Sequence, residues 1–238
     1  MSEPPPPSPP PEHLPRPDRP VDYPVSLDVA GWHCLVVGGG AVASRRVLGL
    51  LSAGAHVTVV SPTVDASLPA LAGGAEGTAP GTAPALVLER RPYRSGEAGG
   101  YQFVVTATGR PEVDGAVVQD ARGAGILVAS AERRAGTVRL PAVHRSGRVT
   151  LAVSTAGTSP ALARWLRTRL AACLPSAVDT IAALVDEART EQQKAGRPTT
   201  DVDWGALLDQ HVVPLIEAGR VAEAREILRS ARVPSDPE

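Results

Sequence analysis

The chain has 238 residues, a formal net charge of −1, and a composition that is 43% hydrophobic and 21% charged, which is typical of a globular protein of one or two domains. The near-zero charge excludes a broad basic face for nucleic acid, and an aromatic content of 3% excludes most stacking platforms for single strands. Two cysteines cannot form a disulfide scaffold, and no apolar run approaches the roughly 20 residues of a membrane span. The N-terminus lacks the basic-then-apolar pattern of a signal peptide, so we expect a soluble cytoplasmic protein.

The first segment of the chain, residues 1–20, is rich in proline and charge. Such a composition favours extended conformations and cannot bury a core, so we expect a disordered tail. A second stretch, residues 73–84, is rich in Gly, Ala, Thr and Pro and is predicted to be a loop.

Between these stretches the pattern is strand, glycine loop, helix and strand. Strands are predicted at His33–Val37 and His56–Val60, and a helix at Ala41–Ala53 follows Gly38-Gly39-Gly40. Further strands are predicted at Ala85–Leu88, Gln102–Thr106 and Gly125–Ala129, with a helix at Pro111–Arg122. Alternating strands and helices predict an α/β fold with a Rossmann-type parallel sheet covered on both faces.

The pattern changes after Arg139, where one more strand is predicted at Arg148–Ser154. Ser159 and Pro160 are a strong helix start, and they open a helix predicted over Ala161–Leu174. The remaining helices are predicted at Ala177–Lys194, Trp204–Ala218 and Val221–Arg232. Their apolar stripes require a partner surface, within the chain or in a second subunit.

The first motif with a chemical meaning is Gly38-x-Gly40-x-x-Ala43, between a predicted strand and helix. It matches the dinucleotide fingerprint, in which glycines allow a tight turn and a close approach of the backbone to a pyrophosphate at the helix N-terminus. The alternative is a tight glycine turn without a ligand.

An acid that binds the adenosine ribose usually ends the second strand of such a unit. Ser61 occupies that place here, followed by Pro62 and Thr63, while Asp65 lies slightly too far along. No arginine is placed to take a 2′-phosphate, so NAD is predicted over NADP. Arg45 and Arg46 on the first helix are either a solvated face or lie near the phosphates or the substrate.

The second motif is the strand-to-helix corner Ser154–Pro160. Free amides of the helix start, the hydroxyls of this corner and the arginines that follow it suit carboxylate binding. Those arginines are Arg164, Arg167 and Arg169. In the alternative interpretation Ser159 only caps the helix and the arginines face water.

The third segment, residues 129–141, follows the last strand of the predicted sheet and contains one carboxylate, Glu132. Ligands of open α/β sheets bind beyond the carboxyl ends of the strands, where a carboxyl group can act as general acid or base. The alternative is a solvated glutamate. The five histidines show no ligand spacing, and we predict no metal site.

Together these segments resemble the precorrin-2 dehydrogenase (sirohydrochlorin ferrochelatase) module of siroheme synthases. The resemblance is carried by Tyr23-Pro24-Val25-x-Leu27-Asp28, by the glycine loop with Val42-Ala43-x-Arg45-Arg46, by Ala55 to Pro62, by Leu140-Pro141-Ala142-Val143, and by Ala152 to Arg164. It covers residues 23–174, with a helical C-terminal region also expected.

The resemblance implies an NAD-binding Rossmann domain (21–140), a dimerisation region (141–175) and a helical C-terminal domain (176–238), assembled as a homodimer. It implies oxidation of precorrin-2 to sirohydrochlorin with NAD+ as hydride acceptor and, in some members, insertion of ferrous iron. The methyltransferase domain of the fused enzymes does not fit in this length, so a separate uroporphyrinogen methyltransferase is expected to supply precorrin-2.

The resemblance also assigns residues. Cofactor contacts are implied for Gly38, Gly39, Gly40, Ala41, Val42, Pro62, Thr63 and Thr108, to which Ser61 is added by its place after the second strand. Because the tetrapyrrole is rich in carboxylates, substrate contacts are predicted for Thr155, Gly157, Thr158, Ser159 and Arg164.

The sequence departs from the family at two places. The family aspartate that follows the last strand corresponds to Ala131, beside Glu132, which is the predicted catalytic residue if the loop shifts by one position. Gly109 and Arg110 replace an acidic pair after Thr108. These departures count against chelation and keep open a non-catalytic carrier or sensor that binds NAD or a tetrapyrrole. A third hypothesis is an NAD-responsive regulator built on a Rossmann domain, against which the near-neutral charge and the lack of a recognisable DNA-binding element count.

Overall fold

The computed structural model describes residues 22–72, 86–131, 135–196 and 203–230. The chain divides into two compact units between Leu140 and Pro141. The predicted tail at residues 1–20 and the predicted loop at residues 73–84 lie outside the described residues. Within the described part, no helix has the length and apolar character needed to cross a membrane.

The first unit is built on a five-stranded parallel sheet. Its strands are β1 (His33–Val37), β2 (His56–Val60), β3 (Leu86–Glu89), β4 (Phe103–Thr106) and β5 (Leu127–Ser130). They lie in the order β3-β2-β1-β4-β5, with Cys34 opposite Val57 on one side and Phe103 on the other. The predicted Rossmann-type sheet is confirmed.

An apolar layer packs on each face of this sheet, so both faces of the central strand β1 are buried. Cys34 and Val36 belong to the core on the side of α1 (Ala41–Ser52), which also receives Leu68 from the short helix α2 (Ser67–Ala72). Leu35 and Val37 belong to the opposite core. That core is formed with α3 (Pro111–Gly123) and the 3₁₀ turn Glu97–Gly100. Strands that are buried on both faces are expected in a parallel sheet.

The second unit begins with an antiparallel hairpin of β6 (Ala142–Ser146) and β7 (Val149–Val153). In both strands exposed residues alternate with half-buried ones, and helix α4 (Pro160–Ala171) packs on the hairpin. The sequence predicted only the second strand. It missed β6 because Ala142–Ser146 has neither the apolar run nor the regular alternation that marks a strand.

The rest of the second unit is helical. It consists of α5 (Val178–Lys194), α6 (Trp204–Leu207), a π-helical turn at Leu208–Val212, α7 (Val213–Glu217) and α8 (Val221–Ser230). Ile181 and Ala188 of α5 pack in one core with Ala224 and Leu228 of α8. The predicted apolar stripes therefore meet each other within this unit, and the predicted helical C-terminal region is confirmed.

The remaining differences from the sequence-based elements are local. The helix predicted over Trp204–Ala218 is interrupted by the π-helical turn, because Pro214 has no N–H to bond the carbonyl of Gln210. Helix α4 ends at Ala171 rather than Leu174, and α1 ends at Ser52 rather than Ala53. Such terminal residues adopt looser turns that composition does not distinguish from helix.

Candidate nucleotide-binding site

A cavity of about 960 Å³ lies at the carboxyl ends of β1, β2 and β4. Every residue predicted to contact the cofactor lines this cavity: Gly38, Gly39, Gly40, Ala41, Val42, Ser61, Pro62, Thr63 and Thr108. Open parallel sheets bind ligands at this edge, where the order of the strands reverses.

The three glycines of the first loop have different surroundings. A Cβ on Gly38 would lie 2.4 Å from the Ala107 carbonyl oxygen, and one on Gly39 would lie 2.1 Å from the Thr63 carbonyl oxygen. Gly38 also has φ +121°, a conformation that side chains rarely adopt. A Cβ on Gly40 would meet nothing within 4 Å. Gly38 and Gly39 are therefore needed for the fold of the loop, whereas Gly40 leaves space beside it.

The segment after β2 holds the glycine loop in place. The backbone amide of Asp65 donates to the carbonyl of Gly39 at 2.6 Å, and the Ser61 hydroxyl donates to the carbonyl of Thr63 at 2.7 Å. Ser61 is buried. The hydrogen bond from its hydroxyl therefore fixes the backbone of Thr63, which forms this wall of the cavity.

Helix α1 begins at this loop with an open N-terminus. Gly40 is its N-cap, no side chain caps it, and its first turn contains no acidic residue. The first helical hydrogen bond runs from the Ser44 amide to the Gly40 carbonyl at 3.0 Å, so the preceding amides have no acceptor in the helix. These amides, the helix dipole and the space beside Gly40 fit the pyrophosphate of a dinucleotide.

The segment after β4 forms the opposite wall. Thr108 lines the cavity, and its hydroxyl donates to the carboxylate of Asp114 at 2.8 Å. Thr106, the last residue of β4, is fully buried and donates to the same carboxylate. This wall is thus fixed by a buried acid on α3 that sequence reasoning did not single out.

Three charged side chains line the cavity: Asp65, Arg110 and Glu112. Arg110 and Glu112 form an exposed ion pair at 3.1 Å, which water screens strongly. The hydroxyl and the amide of Ser67 both donate to Asp65, which holds the pKa of this carboxyl below its ordinary value. Among the described lining residues, the side of β2 therefore carries a negative charge and no cation.

Tyr93 lines the cavity on the side of α3 and donates its hydroxyl hydrogen to Asp120 at 2.9 Å. Burial raises the pKa of the Tyr93 phenol, and the bond to Asp120 raises it further. Bonds from the Gly96 amide and then from Tyr93 keep the pKa of Asp120 low. Tyr93 therefore contributes an uncharged aromatic side chain to the cavity wall at ordinary pH.

Two predicted groups lie away from this cavity or outside the described chain. Arg45 is exposed, Arg46 is half-buried, and neither lines the cavity. Burial lowers the pKa of Arg46, and the neighbouring charge of Arg45 lowers it further. Glu132 lies outside the described residues. Ala131 follows β5 directly, and its amide donates to the Thr106 carbonyl at 3.0 Å.

In the second unit, the corner before α4 uses most of its hydroxyls to hold itself together. Thr155 donates to the Ser159 carbonyl at 3.1 Å and accepts from the Ser159 amide at 3.2 Å. The Ser159 hydroxyl oxygen accepts from the Leu162 amide and caps the helix. Ala156 and Gly157 both have positive φ, and Thr158 and Arg164 are exposed. Capping is thus observed, and the side chain of Arg164 is exposed to solvent.

Across the described residues, no three His, Cys, Asp or Glu side chains come together in a group that could hold a metal ion. His144 lies in β6.

Sequence reasoning missed several residues that line or support the cavity, among them Asp65, Tyr93, Arg110 and Asp114. Asp65 appeared too distant because it was counted along an extended chain. The bond from its amide to Gly39 brings it back to the rim. Tyr93 and Asp114 reach the site through tertiary packing, which has no local pattern in the sequence.

A parallel sheet, a glycine-lined cleft at its carboxyl edge and an open helix N-terminus define a dinucleotide-binding protein of the Rossmann type. Comparison with known proteins extends this assignment. Residues 25–142 match the family described as "Putative NAD(P)-binding", and residues 147–172 match the family described as "Sirohaem biosynthesis protein central".

The chain is similar to siroheme synthase 1 of Halorhodospira halophila, with 35% identity covering 87% of this chain and 42% of the relative. It is 33% identical to siroheme synthase of Methylococcus capsulatus, covering 89% of this chain and 44% of the relative. A solved structure titled "SirC, precorrin-2 dehydrogenase" matches with a TM-score of 0.62 and 27% identity, covering 87% of this chain and 98% of that chain.

The chain belongs to the precorrin-2 dehydrogenase / sirohydrochlorin ferrochelatase family, the family of the siroheme synthase N-terminal module. It spans less than half the length of the curated siroheme synthases that it matches. The family assignment and the geometry of the cleft agree on a nicotinamide dinucleotide as the cofactor.

Proposed function

We propose that this protein oxidises precorrin-2 to sirohydrochlorin with NAD+. The observation that carries the proposal is the glycine-lined cleft beside the open N-terminus of α1, in a chain that covers 98% of a precorrin-2 dehydrogenase structure. In this reaction the tetrapyrrole loses a hydride and a proton, and NAD+ supplies the hydride acceptor when it is bound.

The residues of the chain have distinct roles in this proposal. The amides of Ala41 and Val42 hold the pyrophosphate, for which Gly40 leaves space. Gly38 and Gly39 let the neighbouring loops pack against the glycine loop. Because this wall is formed before a ligand arrives, little reorganisation opposes the reactive geometry, and positioning contributes much of the rate.

Glu132 is proposed as the general acid or base that takes the substrate proton, because it stands beside the family aspartate position at Ala131. Removing a general acid or base costs about 10²–10⁴-fold in rate. Glu132→Gln should therefore lower turnover by that factor and leave NAD+ affinity unchanged. Unchanged turnover would exclude Glu132 from the site.

We propose NAD+ rather than NADP+ as the natural cofactor. Asp65 lines the cavity on the β2 side, where the adenosine ribose of a dinucleotide binds, and its low pKa keeps it negative. A 2′-phosphate would meet this charge with no described cation beside it. Calorimetry should give a lower Kd for NAD+ than for NADP+. Asp65→Asn should bring the two Kd values closer together. A wild-type preference for NADP+ would contradict the assignment.

The carboxylates of the tetrapyrrole are proposed to bind at the corner before α4, through Thr155, Gly157, Thr158, Ser159 and Arg164. The support is the tight turn at Ala156 and Gly157, which both have positive φ, and the exposure of Thr158 and Arg164. Arg164→Ala should raise the KM for precorrin-2 more than it lowers kcat, since it removes a charge-assisted contact.

The test of the main proposal is anaerobic incubation with precorrin-2 and NAD+, following NADH formation and the tetrapyrrole absorbance. NADH and sirohydrochlorin should form in equal amounts. Turnover at background level, with NAD+ bound, would favour the second candidate, a carrier or sensor. Ala131 at the family aspartate position is the observation behind that candidate. Ferrous ion added afterwards tests chelation separately.

We further propose that the protein acts as a homodimer that takes precorrin-2 from a uroporphyrinogen methyltransferase. The hairpin β6–β7 has two strands, and a two-stranded hairpin is only marginally stable by itself. One face of this hairpin is exposed. Large apolar side chains are exposed on α4 beside it, including Trp165, Leu162 and Leu170. A second copy of this region would cover them.

A further inference from the structure

A carboxylate is buried beneath the segment that follows β4. Asp114 stands in the first turn of α3 and is 4% exposed. Its Oδ1 accepts from the amide of Thr108 at 3.1 Å, from the hydroxyl of Thr108 at 2.8 Å, and from the hydroxyl of Thr106. Among the described side chains, no arginine, lysine or histidine forms an ion pair with it.

These bonds determine the orientation of the Thr108 hydroxyl. A hydroxyl has one hydrogen, and Asp114 is the nearer acceptor, since the Arg110 carbonyl lies at 3.3 Å. The same oxygen accepts from the Arg110 amide at 3.1 Å. Hydrogen bonds to Asp114 and from the Arg110 amide therefore fix the side chain of Thr108, and this side chain fixes the conformation of the cavity wall.

The wall held by Asp114 is in contact with the glycine loop. The place of a Cβ on Gly38 lies 2.4 Å from the Ala107 carbonyl oxygen and 3.1 Å from the Thr108 nitrogen. The loops after β1 and β4 therefore have no clearance between them. A small shift of the Thr108 segment would move the edge of the cleft on which the dinucleotide rests.

Burying an ionised carboxylate without a cation is unfavourable, and an apolar side chain would suit the interior of this fold better. The α3 N-terminus and three donors offset this cost. We propose that Asp114 is a positioning residue for the dinucleotide: it fixes Thr108 so that the cleft is formed before the ligand binds. This inference rests on the proposed function for its ligand.

The test measures Kd for NAD+ and NADH by calorimetry and fluorescence in four variants: Asp114→Ala, Asp114→Asn, Thr108→Val and the double variant Asp114→Ala/Thr108→Val. Asp114→Ala should raise both Kd values by at least about tenfold, the effect of losing a hydrogen bond to a charged group. Asp114→Asn should stay within about threefold because its amide oxygen still accepts. The Kd values of the double variant should not exceed those of the single variant that binds more weakly, since both substitutions remove the same contact.

Asp28→Ala is the matched control, since Asp28 also accepts a backbone amide, that of Ala30 at 3.1 Å, and does not line the cavity. It should leave both Kd values unchanged. A folded Asp114→Ala protein with wild-type affinity, or additive effects in the double variant, would overturn the inference. Additive effects would mean that the two residues act independently.

If Asp114→Ala does not fold, the inference is tested by comparing NAD+ binding in two variants of Thr108. Thr108→Ser keeps the hydroxyl that bonds to Asp114 and should bind NAD+ more tightly than Thr108→Val, which lacks it. Equal binding by these two variants would overturn the inference. A wild-type protein that binds neither NAD+ nor NADH would instead refute the proposed function.

Discussion

The glycines of the first loop show how one residue type serves two purposes at neighbouring positions. Gly38 and Gly39 are required because backbone atoms of other loops lie where a side chain would begin. Gly40 has no such neighbour. A fingerprint read from sequence gives all three the same weight, whereas the structure separates the glycine that leaves space at the cleft from the two that the fold of the loop needs.

Gly40→Val should therefore fold normally and lose the dinucleotide. The backbone at Gly40 has φ −86°, which valine adopts without strain, but its methyl groups would fill the space proposed for the pyrophosphate. We expect no NAD+ binding by calorimetry and a smaller drop in melting temperature than in Gly39→Ala, because valine is only a poorer N-cap than glycine. Gly39→Ala is the contrasting variant and should lower the melting temperature. Wild-type NAD+ affinity in Gly40→Val would refute this placement of the ligand.

The two cysteines should differ in reactivity. Cys34 is fully buried in β1, and burial raises its thiol pKa from 9.0 to about 11, whereas Cys173 is exposed. At pH 8 a thiol reagent should label one cysteine in the folded protein and both after denaturation, because the thiolate is the reactive form. Rapid labelling of both in the folded protein would contradict the burial of β1.

The same shift has a consequence for alkaline stability. Between pH 9.0 and about 11 the unfolded chain loses the Cys34 proton that the folded chain keeps. The unfolded state then binds fewer protons, so the free energy of unfolding should fall as pH rises through this window. Cys34→Ala should reduce this dependence when denaturant titrations are compared at pH 8.5 and 10.5, and the raised pKa of Tyr93 accounts for a remaining decrease.

At the scale of elements, the turn of the β6–β7 hairpin is tied to α5. Gly147 has φ +52°, and a Cβ there would overlap the Asp179 carboxylate. Asp179 in turn accepts the Arg148 amide at 2.8 Å. The turn and the first turn of α5 therefore stabilise each other within the second unit.

Asp179→Ala should lower the free energy of unfolding by about 1 kcal/mol, the net value of a typical hydrogen bond. Asp186→Ala is the matched control on the same helix. Among the described residues, Asp186 forms an ion pair with the exposed guanidinium of Arg148 at 3.6 Å, and such a pair is expected to contribute about 0–1 kcal/mol. Denaturant titration of both variants should rank Asp179→Ala as the more destabilising. The reverse order would show that the turn does not depend on α5.

How well an element could be predicted depended on where its stabilising contacts come from. The sequence predicted β1 and β2 at their observed bounds because a short apolar run in β1 and a β-branched run in β2 are bounded by glycine and proline signals. It missed α2, which is a single turn and a half capped by Asp65, and it missed β6, which depends on pairing with β7. The nine predicted cofactor residues line one cavity, while Asp114 and Tyr93 reach the site only through packing.

At the scale of the whole molecule, the proposed homodimer predicts a mass of twice 24.6 kDa by light scattering. Trp165 is 59% exposed on α4, so Trp165→Asp should give a monomer by placing charge in the proposed interface. Leu48→Asp is the control, because Leu48 is an exposed apolar residue of α1 in the first unit. A wild-type monomer, or an unchanged mass for Trp165→Asp, would contradict the proposed interface.

Every described residue that lines the cleft belongs to the first 140 residues. The proposed substrate contacts at the corner before α4 lie beyond Leu140, so the proposed coenzyme contacts and the proposed substrate contacts occupy separate stretches of the chain. Substitutions beyond Leu140 can therefore alter the proposed substrate contacts without replacing any described residue that lines the cleft.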